Sequence, residues 1–93
     1  MNIVYELLKK VPKGKVVSYG ELARAANTSP RAVGKLMNVN PYAPTVPCHR
    51  VVNKDGRIGG FASGVENKIA LLKKEGVPVV GGRIDERFFF YFN

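Results

Sequence analysis

The stretch Ser18-Tyr19-Gly20-Glu21-Leu22-Ala23-Arg24-Ala25-Ala26-Asn27-Thr28-Ser29-Pro30-Arg31-Ala32-Val33-Gly34-Lys35-Leu36-Met37-Asn38 decides the fold. Ser18 with Glu21 three residues on makes a capping box, and Leu22, Ala23 and Ala26 supply a buried face, so a helix is predicted to about Ala26. Asn27-Thr28 reads as a turn. Ser29 then caps a second helix with proline at its first position, where the missing N–H does no harm. Val33, Leu36 and Met37 share one face of that helix, which is expected to end near Asn38. Two short helices on a tight polar turn form a helix-turn-helix candidate whose second helix would enter a groove by its N-terminal end. The motif has low specificity by itself, since helical hairpins recur in small α domains.

Working outward, Ile3, Val4, Leu7, Leu8 and Val11 predict an amphipathic helix over residues 2–10, with Lys9 and Lys10 in the last turn and Pro12 and Gly14 as its stop. Lys15-Val16-Val17 reads as an extended link. Val51-Val52 and Arg57-Ile58 flank Asn53-Lys54-Asp55-Gly56, a β-hairpin signal with Asp-Gly at the turn. A glycine-rich loop follows to Gly64. Residues 65–75 predict a last helix with Ile69, Leu71 and Leu72 inward and Gly76 as its stop. The aromatic run Phe88 to Phe92 is expected to lie over the core rather than to meet another chain, because a small core gains much from aromatic burial. The expected fold is mainly α with a small β-hairpin, a winged helix-turn-helix-like DNA-binding domain.

Val46-Pro47-Cys48-His49-Arg50-Val51 contains the only cysteine and the only histidine, side by side. A free cysteine is usually a small buried hydrophobe. Neighbouring cationic groups favour a thiolate, however, and His49 and Arg50 supply them, so a reactive Cys48 is the preferred reading. Pro41, Pro44 and Pro47 impose a rigid, irregular entry. One cysteine forms no internal disulfide, and with one histidine it builds no ordinary four-ligand zinc cage, so no metal is expected.

Two charges sit at helix ends where the dipole disfavours them. Arg31 lies in a first turn, at a penalty of roughly 0.3–1 kcal/mol that a phosphate or base would offset, or that a solvated arginine simply tolerates. Glu75 lies in a last turn, explained by a histidine partner or equally by its neighbouring lysines. Across the 93 residues, fifteen Lys and Arg against seven Asp and Glu leave a net charge of +8. Nucleic acid is therefore the leading partner, ahead of an anionic membrane surface or bare solubility. Nothing reads as a signal peptide or membrane span, which points to an intracellular protein.

Read together, Pro47-Cys48-His49-Arg50-Val51, Arg31-Ala32-Val33-Gly34, Asn40-Pro41, Ser18-Tyr19 and Leu71-Leu72-Lys73-Lys74-Glu75-Gly76 resemble the O6-alkylguanine-DNA alkyltransferase family. The resemblance runs from Val4 to about Val77. It implies a single DNA-binding and active-site domain over residues 1–93, with the N-terminal domain of many members absent. It implies a DNA repair methyltransferase in which Cys48 takes the alkyl group, His49 acts as base through water and Glu75 orients the imidazole. Tyr19 would help rotate the nucleotide out and donate a proton, and Asn40 would tie the recognition helix to the active-site loop. The DNA-facing set implied is Ser18, Tyr19, Arg31, Ala32 and Arg50, with Arg31 filling the space the flipped base leaves. Met37, Val51, Phe61, Ala62 and Lys68 would line the lesion pocket.

By the same resemblance the thioether is never reversed, no cofactor or metal is used, and the partner is duplex DNA bearing O6-alkylguanine. A monomer is expected, with fusion to, or association with, another repair protein left open. Phe61-Ala62 departs from the usual Tyr-Ser of the family's pocket loop. The short length and the tail also look like the alkyltransferase-like proteins, which bind the lesion without removing it, recruit other repair factors and usually carry tryptophan in place of the cysteine. The retained Cys48 favours the transferase over that lesion sensor. An ordinary helix-turn-helix regulator would leave the thiol–imidazole pair unexplained.

Overall fold

A computed structural model describes residues 2–93. Its elements are helices α1 (Ile3–Leu8), α2 (Tyr19–Ala26), α3 (Pro30–Asn38) and α4 (Val65–Lys74), strands β1 (Val17–Ser18) and β2 (Val51–Val52), and 3-10 turns at Cys48–Arg50 and Glu86–Phe88. Capping sets the bounds of the central pair. Ser18 Oγ accepts from Glu21 N–H at 3.0 Å, Asn27 closes α2 in the left-handed conformation at φ 56°, and Ser29 Oγ accepts from Ala32 N–H at 3.1 Å. Helix α1 stops at Leu8, earlier than expected, with Lys9 as its cap, and Asn2 closes its start through a bond from Val4 N–H. Its buried face is Val4, Tyr5 and Leu8, while Ile3 is exposed.

The strand pairing differs from the expected hairpin. The turn forms, closed by Asn53 N–H to Arg57 C=O at 2.8 Å, but β2 pairs in parallel with β1, Val17 opposite Val51 and Ser18 opposite Val52. Val51 and Val52 are both fully buried, the signature of a strand covered on both faces rather than of a half-exposed hairpin arm. Arg57 instead bridges Arg83, and Ile58 N–H donates to Gly82 C=O. Gly56 makes that docking possible: at φ +92° its backbone lies so close to Ile84 that a Cβ would sit 2.6 Å from the Ile84 carbonyl oxygen.

The extended link is thus the spine of the molecule. Val16 gives its N–H to Phe88 C=O at 2.9 Å and accepts from Phe90 N–H at 2.7 Å, so the aromatic tail lies along the same segment that β2 pairs with. Successive residues point to opposite sides and feed two clusters. Val17 and Val51 join Val4, Tyr5, Leu8, Leu22, Val33, Met37 and Cys48. Val16 and Val52 join Ile58, Leu72, Val77 and Ile84. Phe90 and Phe92 cover the first cluster and Phe88 and Phe89 the second, as the expected packing of the tail requires. In α4 the fully buried positions are Lys68 and Leu72, one turn apart, with Ile69 and Leu71 only half-buried. No helix among the described residues is long and apolar enough to cross a membrane.

Candidate active site

Cys48 opens the 3-10 turn, as a free thiol with 9% of its surface exposed at the edge of the first cluster. Its N–H donates to Val46 C=O at 2.9 Å, Val46 N–H donates to Tyr42 C=O at 3.0 Å, and the Ala43–Pro44 peptide is cis. Asn40, just past α3, braces this loop from inside. Its Nδ2 donates to Val46 C=O at 2.9 Å and its Oδ1 accepts from Tyr42 N–H at 2.9 Å, so the end of the second helix of the pair and the approach to Cys48 are one hydrogen-bonded unit. Tyr5, which the sequence reading passed over, adds a second brace. Its hydroxyl donates to Leu36 C=O at 2.8 Å and its ring meets Tyr42 edge-on at 5.6 Å. The signal for it was present: Tyr5 stands three residues before Leu8 on the inward stripe of α1.

Next to the thiol, His49 is 5% exposed and its Nε2 lies 3.1 Å from Glu75 Oε2. The distance is short but the ring N–H is not aimed at the carboxylate, and Nε2 makes no aligned hydrogen bond. Glu75 is more firmly held by Arg50, whose Nε and Nη2 reach Oε1 and Oε2 at 2.9 and 2.6 Å, while Nη1 donates to Val11 C=O at 2.8 Å. Burial lowers the affinity of His49 for a proton below the ordinary 6.5; Glu75 opposes this, and Arg50 and Lys68 add to it. Burial pushes the Glu75 carboxyl up, but Arg50 and His49 outweigh it and hold the carboxyl below its usual range. A neutral imidazole beside a thiol is a competent proton acceptor.

The remaining wall comes from the loop before α4. Phe61 packs on the cluster that holds Cys48 and Tyr19. Lys68, fully buried, donates its ammonium to the carbonyls of Val51 at 2.7 Å, Ile58, and Gly60 at 3.2 Å, and stands 5.9 Å from the Phe61 ring centre. It thereby ties β2, the end of the turn and the glycine loop together. Burial pulls Lys68 down to about 8, with Cys48 acting in the opposite sense. Burial likewise raises the Tyr19 hydroxyl, and a charge on Cys48 raises it further.

A family model described as 6-O-methylguanine DNA methyltransferase, DNA binding domain, matches residues 1–77. The chain belongs to that family. Among curated relatives, a methylated-DNA–protein-cysteine methyltransferase of Thermococcus kodakarensis is 60% identical over 75 residues, which are 80% of this chain and 42% of the relative. The chain therefore spans less than half the length of that relative. Among solved structures, O6-methylguanine-DNA methyltransferase from Pyrococcus kodakaraensis strain KOD1 superposes with a TM-score of 0.76 at 59% identity, over 81% of this chain and 44% of that one. Atl1 of S. pombe, solved with damaged DNA containing O6-carboxymethylguanine, superposes with a TM-score of 0.83 at 29% identity, over 96% of this chain and 92% of that one.

In this family member Cys48, His49 and Glu75 stand together with Asn40, while Tyr19, Met37, Val51 and Phe61 belong to or pack on the cluster that holds the thiol and Lys68 is bonded to the Val51 carbonyl. Ala62 is exposed in the loop, and Arg31 and half-buried Ala32 lie in the first turn of α3. Two of the DNA-facing set are engaged internally. Ser18 is buried as the cap of α2, its Oγ accepting from Glu21 N–H, and the guanidinium of Arg50 donates to Glu75 and to the Val11 carbonyl. The sequence pattern could not reveal this for Arg50, because its carboxylate partner lies 25 residues away.

Proposed function

We propose that this chain repairs O6-alkylguanine in duplex DNA by moving the alkyl group irreversibly onto its own Cys48, one group per chain. The observation that carries the reading is a free thiol at the mouth of a 3-10 turn whose next residue is a buried imidazole backed by a carboxylate. Cys48 passes its proton through water to His49, and the sulfur attacks the alkyl carbon. The S–C bond forms as the C–O bond breaks, its electron pair leaving on the guanine oxygen, and Tyr19 returns a proton to the departing base. Stacked guanine cannot reach this thiol, so the nucleotide must be extruded at a cost of a few kcal/mol. Arg31, exposed at the N-terminal end of α3, is the residue suited to occupy the vacated stack. Met37, Val51, Phe61, Ala62 and Lys68 bound the space the base would enter, and Asn40 keeps the loop in register with α3. Duplex DNA is the partner, met inside the cell by a monomer of this domain.

Incubation with a duplex bearing one O6-methylguanine is expected to add one methyl group to the intact mass, mapped to Cys48. Arg31→Ala should slow transfer from duplex more than from the free alkylguanine base; equal losses on both would refute its finger role. A second reading is favoured by the likeness to Atl1 along nearly the whole chain: a lesion-binding protein that recruits other factors without transfer. Unmodified mass with lesion binding retained would establish that reading in place of the first.

A further inference from the structure

Glu75 stands between Arg50 and His49, and its geometry says which one holds it. Both of its oxygens accept from Arg50, at 2.9 and 2.6 Å, whereas the His49 ring reaches only Oε2, at 3.1 Å and off line. All three side chains are largely withdrawn from water, with 15%, 13% and 6% of the Arg50, Glu75 and His49 side chains exposed. At such depth a charge pair acts strongly on its neighbours. Arg50 is itself fixed from behind by the Val11 carbonyl, so the fork cannot swing away without losing a third hydrogen bond.

We propose that Arg50 is a positioning residue of this site: by holding both oxygens of Glu75 it keeps the carboxylate from drawing a proton onto the His49 imidazole. An isolated Glu75 beside His49 would form a carboxylate–imidazolium pair, and a histidine already protonated cannot accept the proton of Cys48. Burial acts first against protonation of the ring, and Arg50 offsets part of the carboxylate's pull in the other direction. His49 then faces a neutral ion pair at the end of α4, the Lys68 ammonium from the same helix, and the Cys48 thiol on its own turn. It stays an acceptor. The inference deepens the transfer reading by assigning the motif's arginine a role in the proton path rather than on DNA.

The chain has one histidine, so its titration can be followed without ambiguity by NMR of the ring nitrogens. In the wild type the midpoint is expected below 6.5. In Arg50→Met it is expected to rise by about one unit or more, since the nearby carboxylate then acts on His49 alone. Arg50→Lys, which keeps the charge but not the fork, is expected to fall between, and the acid limb of the alkyl-transfer rate should move with the midpoint in each variant. Arg50→Met combined with Glu75→Gln should return the midpoint to or below the wild-type position. A His49 midpoint unchanged in a folded Arg50→Met would overturn the proposal. So would a loss of rate in Arg50→Lys uniform across pH, which marks a merely structural arginine. The NMR titration needs no transfer activity, so it stands or falls apart from the repair reading.

Discussion

Lys68 shows most sharply what burial does to a single side chain. An ammonium without water is tolerated here because three carbonyls surround it, yet its ordinary value of 10.5 is pulled down to about 8. Below about 8 the group is charged in both states and the burial penalty is fully present. Between 8 and 10.5 the unfolded chain binds the extra proton, so stability contributed by Lys68 rises with pH. Relative to Lys68→Met, which does not titrate, the wild type should gain about 3 kcal/mol across that window in urea unfolding curves. Parallel curves for the two proteins would contradict the assignment. Asn40→Ala should lower unfolding free energy by about 0.5–1.5 kcal/mol, because it removes one of the two donors to the Val46 carbonyl, the Cys48 N–H remaining. At this scale the Cys48–His49 pair was legible because both residues are unique in the chain and adjacent. The company of Arg50 and Lys68 was not, since a charged side chain carries no mark of which distant carbonyl or carboxylate it will meet.

Helices α2 and α3 run between the residues their caps predict, Tyr19 to Ala26 and Pro30 to Asn38. Capping is local chemistry, completed within three residues, and so it survives whatever packs around it. Ser18→Ala and Ser29→Ala should each cost about 1 kcal/mol of unfolding free energy in denaturant titrations, the former more because Ser18 is buried and the latter less because Ser29 is exposed. The strands behaved otherwise. Val51-Val52 had an adjacent hairpin partner in sequence and took Val17-Ser18 instead, because pairing there buries both valines while the Asp-Gly turn docks on Ile84. The tail is tied to α2 as well as to Val16: Glu21 Oε2 accepts from Phe92 N–H at 2.8 Å, and Arg24 Nη2 donates to Phe92 C=O at 2.9 Å. Removing residues 88–93 should lower the melting temperature and abolish hydrogen-exchange protection of the Val16 amide, whose acceptor is Phe88. Retained protection at Val16 would show that the tail is not what closes that edge.

Taken whole, the molecule combines a net charge of +8 with a thiol near a helix-turn-helix, and its binding to duplex should fall steeply with salt. Arg31→Ala, which removes a side chain from the base stack rather than from a phosphate, is expected to lower affinity with little change in the slope of log affinity against log salt, and Arg50→Met should leave the slope unchanged because its charge is paired with Glu75. Fluorescence titrations over a salt series would check both. Sequence by itself determined the central helix pair, the adjacent thiol and imidazole and the positive net charge, because caps, periodicity and composition act through neighbours in the chain. Only the tertiary structure decided that the link before α2 is a spine shared by β2 and the tail, and that Glu75 answers to Arg50 as well as to His49. Those contacts join residues separated by 25 to 74 positions, and among many chemically equivalent partners the choice falls to packing, which brings one pair together as water is expelled.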